Sequence, residues 1–84
     1  MTPEEIKNKR EDAGLTQEKM AILTGISRTT ISAIENSRRK ITPKIERTLT
    51  FFFNKLDQDE QLRKLIVEWE IEFTRILNDK RFKN

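Results

Sequence analysis

Residues 17–36 read QEKMAILTGISRTTISAIEN, two short segments with helical periodicity on either side of Gly25. In the second segment Ile31 and Ile34 recur at helical spacing, and small or polar residues fill the positions between them. Gly adopts the left-handed conformation that ends many helices at little cost, and Ser27 is a favoured N-cap residue for the helix that follows. The stretch therefore predicts two helices joined by a tight turn.

Start and stop signals divide the rest of the chain into further helices. Thr2, Thr16 and Thr42 stand where N-caps are expected, and a Pro follows the first and the last of them at the first helical position. Residues 57–60 resemble a capping box that begins at Asp57, which predicts a fifth helix. Because the chain has only two Gly and two Pro and no alternating apolar run, we predict an all-α fold of five helices.

The apolar stripes of these helices predict the core. Leu23 is expected to face the core from the second helix, Phe52 from the fourth with Phe53 at the edge of its stripe, and Leu65 from the fifth. The other core residues predicted on the fifth helix are Leu62, Ile66, Trp69, Phe73, Ile76 and Leu77. Three apolar residues lie off the stripes and would be exposed to water in a monomer. They are therefore candidates for a homodimer interface: Phe51, Val67 and Ile71.

Composition excludes several classes of function. The 84 residues include no Cys and no His, so disulfides, thiolate or imidazole metal ligands, and nucleophile–base pairs built on either residue are excluded. No apolar run approaches the roughly 20 residues of a membrane span, and the first residues lack the apolar region of a signal peptide. We expect a cytoplasmic protein without cofactor or membrane partner that is not an enzyme.

The distribution of charge points to a polyanion as partner. The net charge is only +3, but residues 26–40 carry four cations against one acid. A helix that enters the major groove needs small side chains, a long hydrogen-bonding residue near its N-terminus and cations at its margin. The helix that begins after Ser27 has these features, with Arg28 as its long residue.

Residues 17–36 resemble the helix-turn-helix of the lambda-repressor-like family (Cro/CI/XRE type). That family has Gln first, Ala fifth, Gly ninth and aliphatic residues tenth, fifteenth and eighteenth, as this stretch does. The resemblance covers about residues 6–56. It implies a five-helix lambda-repressor-like DNA-binding domain, with residues 1–56 as the DNA-binding core. Residues 57–84 would form a C-terminal helix that completes the core, the dimer interface or both.

The resemblance also implies roles for individual residues. Base contacts are expected from the third helix, at Arg28, Thr29, Ser32 and Ala33. Phosphate contacts are expected around it, at Thr16, Gln17, Asn36, Arg38, Arg39 and Lys40. Gln17 would also brace the first residue of the reading helix, and Arg10 and Glu35 would form a partly buried ion pair.

The chemistry of the residues leaves alternatives open for some of these roles. Arg28 can donate two hydrogen bonds to guanine, which discriminates by about 1–3 kcal/mol, or it can bind a phosphate. Gln17 can contact DNA or simply cap the second helix. The family usually has Gly where this chain has Ser37, so Asn36 is expected to take the left-handed conformation instead.

The sequence favours a dimeric transcriptional repressor of phage, mobile-element or small-operon type that binds a pseudo-palindromic double-stranded DNA operator. Two alternatives stay open. One is an antitoxin or another interaction module that holds a protein partner with its fifth helix. The other is a controller protein of a restriction–modification system.

Overall fold

The computed structural model contains five α-helices. They are α1 (Pro3–Asp12), α2 (Gln17–Thr24), α3 (Arg28–Glu35), α4 (Pro43–Gln58) and α5 (Glu60–Lys83). The structure describes the backbone of residues 1–83 and the side chains of residues 1–69, 71 and 72. No strand occurs within residues 1–83, and the predicted all-α fold of five helices is confirmed.

The first four helices begin at the predicted caps. Each cap side chain accepts a hydrogen bond from the backbone N–H three residues later, as Ser27 does from Thr30. This satisfies one of the N–H groups that a helix start leaves without a partner. The turn between α2 and α3 is also as predicted, because Gly25 has a φ of 75° and ends α2.

The predicted start of the fifth helix is wrong by two residues. α4 continues past Asp57, and the Asp59 N–H still bonds to the Lys55 carbonyl at 3.0 Å. Asp59 then caps α5, since its Oδ1 accepts a hydrogen bond from the Leu62 N–H at 3.1 Å. The apolar stripe of α4 ends at Leu56, but its backbone hydrogen bonding does not.

One hydrophobic core joins all five helices. Among the described residues, its fully buried apolar members are Ile6, Leu15, Met20, Ile31, Ile34, Leu49, Phe53, Leu56 and Ile66. The side chains of Phe73, Ile76 and Leu77, which the sequence assigns to the core, lie outside the described residues.

Three predictions about the core are wrong, and on α2 and α4 the reason is that the helix is rotated slightly from its predicted orientation. Leu23 is exposed because the inner face of α2 is centred on Met20, Ala21 and Thr24. On α4 the central and edge positions are exchanged. Phe53 is buried, with the Nζ of Lys9 from α1 5.9 Å from its ring centroid, and Phe52 is half-buried and packs against the core.

The third correction concerns α5. Leu65 is 58% exposed, whereas Ile66 beside it is buried and Leu62 and Trp69 are half-buried. Successive residues of a helix point about 100° apart, so the strip of α5 that packs on the core is too narrow to include Leu65.

The left-handed residue after α3 is Ser37, with a φ of 59°, and not Asn36, whose φ is −92°. Asn36 keeps its own helical hydrogen bond to the Ser32 carbonyl at 3.0 Å, so the chain reverses one residue later. The Ser37 and Arg38 N–H groups then bond to the Ile34 and Ala33 carbonyls, the pattern of a Schellman motif.

No helix in the described part of the chain combines the length and apolar character needed to cross a membrane.

Candidate nucleic-acid interface

The interface is centred on the outer face of α3. Ile31 and Ile34 are buried and hold the helix to the core, while Arg28 and Thr29 are exposed in its first turn. Ser32 and Ala33, one turn later, are half-buried and leave little side-chain bulk on that face. A helix that approaches base edges closely needs this combination of small side chains and one long donor.

The four predicted base-contacting residues share one surface groove with two of the predicted phosphate contacts. We call it the reading groove, and it is lined by Gln17, Arg28, Thr29, Ser32, Ala33 and Arg38. Residues from α2, α3 and the loop after α3 therefore meet at one place. The groove is open to solvent, with Arg28 and Arg38 as its two cations.

A buried ion pair fixes the position of α3 against α1. Arg10 Nε and Nη2 donate to the two carboxylate oxygens of Glu35 at 2.8 and 2.9 Å, and the side chains are 11% and 2% exposed. Arg10 Nη1 also donates to the Leu15 carbonyl at 2.7 Å, in the turn between α1 and α2. The guanidinium of Arg10 on α1 thus holds α3 through a bidentate pair and the turn before α2 through a third hydrogen bond.

The environment of Glu35 favours its ionised form. Burial alone would raise the pKa of this carboxyl, but hydrogen bonds from Arg10 and Gln17 and the charge of Arg10 outweigh that effect. The pKa of Glu35 therefore lies below its ordinary value. The same hydrogen bond to Glu35 raises the pKa of Arg10, which stays charged.

Gln17 contacts the end of α3 rather than its beginning. Its Nε2 donates a hydrogen bond to Glu35 Oε1 at 3.2 Å. Gln17 therefore supports Glu35, whereas the resemblance implies support of Arg28, the first residue of α3. Gln17 is not the cap of α2, because the Thr16 hydroxyl accepts the Lys19 N–H at 3.1 Å. Gln17 still lines the reading groove.

The remaining predicted phosphate contacts lie around the ends of α3. Arg38, Arg39 and Lys40 are exposed in the loop between α3 and α4 and line a second shallow surface with Ser37 and Ile41. Asn36 is exposed, and its Nδ2 lies 3.4 Å from Ser32 Oγ. Within the described part of the chain, neither Arg38 nor Lys40 has a side-chain hydrogen bond or an ion pair.

Two features of α2 are not apparent from the sequence. Lys19 is only 5% exposed, and its Nζ lies 5.4 Å from the ring centroid of Trp69 on α5, a cation–π distance. Ile22, by contrast, is largely exposed. Periodicity alone could not reveal the Lys19 contact, because it depends on where α5 packs.

No group of three or more His, Cys, Asp or Glu residues that could hold a metal ion occurs in the part of the chain whose side chains are described. The concave surfaces around α3 carry hydrogen-bond donors and cations instead, which suit an anionic ligand.

The arrangement of α2, the turn at Gly25 and the exposed face of α3 defines a helix-turn-helix DNA-binding module. Comparison with protein families gives the same result, since the helix-turn-helix family model matches residues 6–45. Over these residues the chain is similar to that family, of the Cro/CI/XRE type, whose members are DNA-binding transcriptional regulators. No curated protein and no solved structure gave a significant match. The match ends in the first turn of α4, so α5 lies outside it.

Proposed function

We propose that this protein is a dimeric repressor that binds a pseudo-palindromic operator and places α3 of each copy in the major groove. The observation that carries the proposal is the exposed face of α3, whose first turn presents Arg28 and Thr29 in one groove with Arg38 of the following loop. Repression then results from occupancy, because a bound dimer excludes polymerase from the same DNA.

Base reading is assigned to the reading groove. Arg28 donates two hydrogen bonds to the O6 and N7 of a guanine, the commonest specific contact in the major groove. Thr29 offers a methyl group to thymine or a hydroxyl to a base edge. Ser32 and Ala33 lie one turn further and allow the backbone to come close, with a hydroxyl and a methyl group as their only contacts.

Phosphate binding is assigned to the margins of the groove. Thr16 and Gln17 lie at the start of α2, where backbone N–H groups and the helix dipole favour an anion. Asn36, Arg38 and Lys40 lie at the other end of α3. Contacts on both sides of the groove fix the register of α3 on the duplex without reading sequence.

A second copy is required because α3 is short. Its eight residues span about 12 Å, the length of about three to four base pairs, so one copy reads only a short sequence. Val67 and Ile71 are the central apolar residues of the proposed interface, and both are more than half exposed. Phe51, on α4, is 66% exposed and is the other candidate.

The charges beside Val67 favour a second copy as the occupant of this face. Arg63 and Lys64 precede Val67 on α5, and Glu68 and Glu72 follow it. Two α5 helices packed antiparallel around Val67 would place the cations of one copy beside the carboxylates of the other. This self-complementary pattern is what a two-fold interface needs.

The function is tested by selection of duplexes from a random-sequence library with the full-length protein. We expect enrichment of an inverted repeat whose half-site centres lie about 10 base pairs, or a multiple of that, apart. Two copies should bind each selected duplex, as measured by analytical ultracentrifugation. Recovery of no preferred sequence from the library would contradict the proposal.

The exposed apolar residues of α5 also favour a second candidate, a module that holds a different protein. Leu65 joins Val67 and Ile71 among them, although it was predicted to be buried. Co-purification from the native host separates the two functions. A stable partner in 1:1 ratio that is lost in a Val67→Glu variant would favour the second candidate, and isolation of a homodimer would favour the first.

A further inference from the structure

Arg39 has a partner inside the DNA-binding unit, although the sequence groups it with the phosphate contacts. Its Nη1 donates a hydrogen bond to Thr30 Oγ1 at 3.0 Å, across nine positions of the chain. The guanidinium carries five N–H groups in a rigid plane, so a partner for one of them fixes the direction of the others. Thr30 already engages one terminal nitrogen of Arg39, whereas Arg38 and Lys40 on either side are not engaged by any described side chain.

The hydrogen bond from Arg39 continues into the cap of α3. Thr30 Oγ1 also accepts a hydrogen bond from Ser27 Oγ at 2.7 Å. Ser27 Oγ in turn accepts the Thr30 backbone N–H at 3.1 Å, which is the capping bond that begins the helix. Arg39, Thr30 and Ser27 thus connect the loop after α3 to the start of α3.

The location of Thr30 distinguishes this contact from the reading groove. Thr30 is half-buried and does not line that groove, so Arg39 is held on the flank of α3. The left-handed turn at Ser37 reverses the chain after α3, and the Arg38 N–H then bonds to the Ala33 carbonyl at 2.7 Å. The loop is therefore fastened at two places, by its backbone near the end of α3 and by Arg39 near its start.

We propose that Arg39 is a positioning residue for DNA reading: through Thr30 and Ser27 it fixes the first turn of α3 relative to the loop that carries Arg38 and Lys40. The inference rests on the proposed function, because it assigns a role within the same interface. The first turn of α3 carries the base-reading residues Arg28 and Thr29. Loss of the Arg39–Thr30 contact therefore changes their position relative to the phosphate-binding residues of the loop. Arg39 then affects affinity and base discrimination without neutralising a phosphate.

The test compares Arg39→Gln, Thr30→Val and the double variant, all full-length, on a duplex selected by the wild-type protein. Each single change should weaken binding about three- to tenfold, the range expected for loss of one hydrogen bond. The double variant should bind no worse than either single one, because both changes break the same contact. Discrimination against duplexes with one substituted base pair should fall by the same factor in all three.

The dependence of affinity on salt separates positioning from phosphate binding. Each phosphate contact contributes about 0.9 to the slope of log affinity against log salt. Arg39→Gln should leave this slope unchanged, whereas the matched control Arg38→Gln should reduce it by about that amount. Thr30→Ser, which keeps the hydroxyl, should bind like the wild-type protein, and thermal melts establish that each variant is folded at the assay temperature.

Two results would overturn the inference: a reduced salt slope in Arg39→Gln, or losses that multiply in the double variant. Neither would affect the proposed function, provided that the wild-type protein binds its selected duplex and Arg38→Gln shows the expected loss of slope. If the wild-type protein selects no sequence at all, the proposed function fails and the inference fails with it.

Discussion

At the residue scale, Ser37 holds a backbone conformation that serine rarely adopts. Its φ of 59° lies in the left-handed region, where a Cβ approaches the following carbonyl and costs about 1–2 kcal/mol. Gly removes that cost but loses more entropy on folding. We expect Ser37→Gly to stabilise the fold by about 0.5–1 kcal/mol, measured by urea denaturation.

Gly25→Ala provides the matched control for Ser37→Gly. A Cβ at Gly25 would meet no heavy atom within 4 Å, so only its φ of 75° opposes a side chain there. We therefore expect a loss of about 1 kcal/mol for this variant. Equal stabilities for Ser37→Gly and the wild-type protein would show that the serine at this turn is not strained.

The lowered pKa of Glu35 predicts a specific dependence of stability on pH. A carboxyl whose pKa is lower in the folded state stabilises the fold fully above its unfolded pKa of about 4.3. That contribution is lost as the pH falls from there through the folded pKa. Glu35→Gln should therefore lower the free energy of unfolding at neutral pH. It should also weaken the fall of that free energy at acidic pH, which we call the acid limb, as measured by urea denaturation from about pH 2 to pH 7.

Glu11→Gln is the control for Glu35→Gln. Glu11 also lies near Arg10, at 3.9 Å, but its side chain is exposed, and solvent screens an exposed pair. The acid limb of this variant should resemble that of the wild-type protein. A Glu35→Gln variant that kept the full acid limb would contradict the stabilising role assigned to the ionised carboxylate.

At the scale of the element, α5 offers a test of its orientation. Ile66→Ala should destabilise the fold by about 2–4 kcal/mol because it leaves a cavity in the core. Leu65→Ala, one residue away on the exposed side, should cost well under 1 kcal/mol. Thermal or urea denaturation measures both, and a larger cost at Leu65 would mean that α5 packs with a different face inward.

Local sequence signals predict how the helices begin and end better than how they are rotated. Caps such as Ser27 form hydrogen bonds within three residues, so the sequence alone indicates them. Which of Phe52 and Phe53 is buried depends on the position of α1, and the exposure of Leu65 depends on how α5 crosses α4. Both depend on packing between segments that are distant in the sequence, which the periodicity of one segment cannot predict.

The same division applies to the interface. The resemblance to the lambda-repressor-like family implies the four base-contacting candidates, and the structure brings them together in the reading groove. The bond from Arg39 to Thr30 was not predicted, because it depends on the path of the loop after Ser37. The sequence assigns phosphate binding to all three cations of residues 38–40, whereas in the structure Arg39 bonds to Thr30.

At the scale of the whole molecule, the proposed dimer predicts which surface residues affect assembly. Val67→Glu and Ile71→Glu each place a carboxylate in the proposed interface, so both should shift the protein towards monomer in sedimentation equilibrium. Phe51→Glu, at an equally exposed position on α4, serves as the comparison. Loss of the dimer in Phe51→Glu alone would move the interface to α4.

The central claim is that Arg28 reads a base, and the most direct measurement compares Arg28→Ala with the wild-type protein on the selected operator. Both are titrated by gel shift against the operator and against duplexes substituted at each position of the half-site. We predict that Arg28→Ala loses preference at one base pair per half-site, by about 1–3 kcal/mol, and keeps it at the others. Arg38→Ala, the control, should weaken binding to all duplexes alike. An Arg28→Ala variant with unchanged preference at every position would contradict the claim.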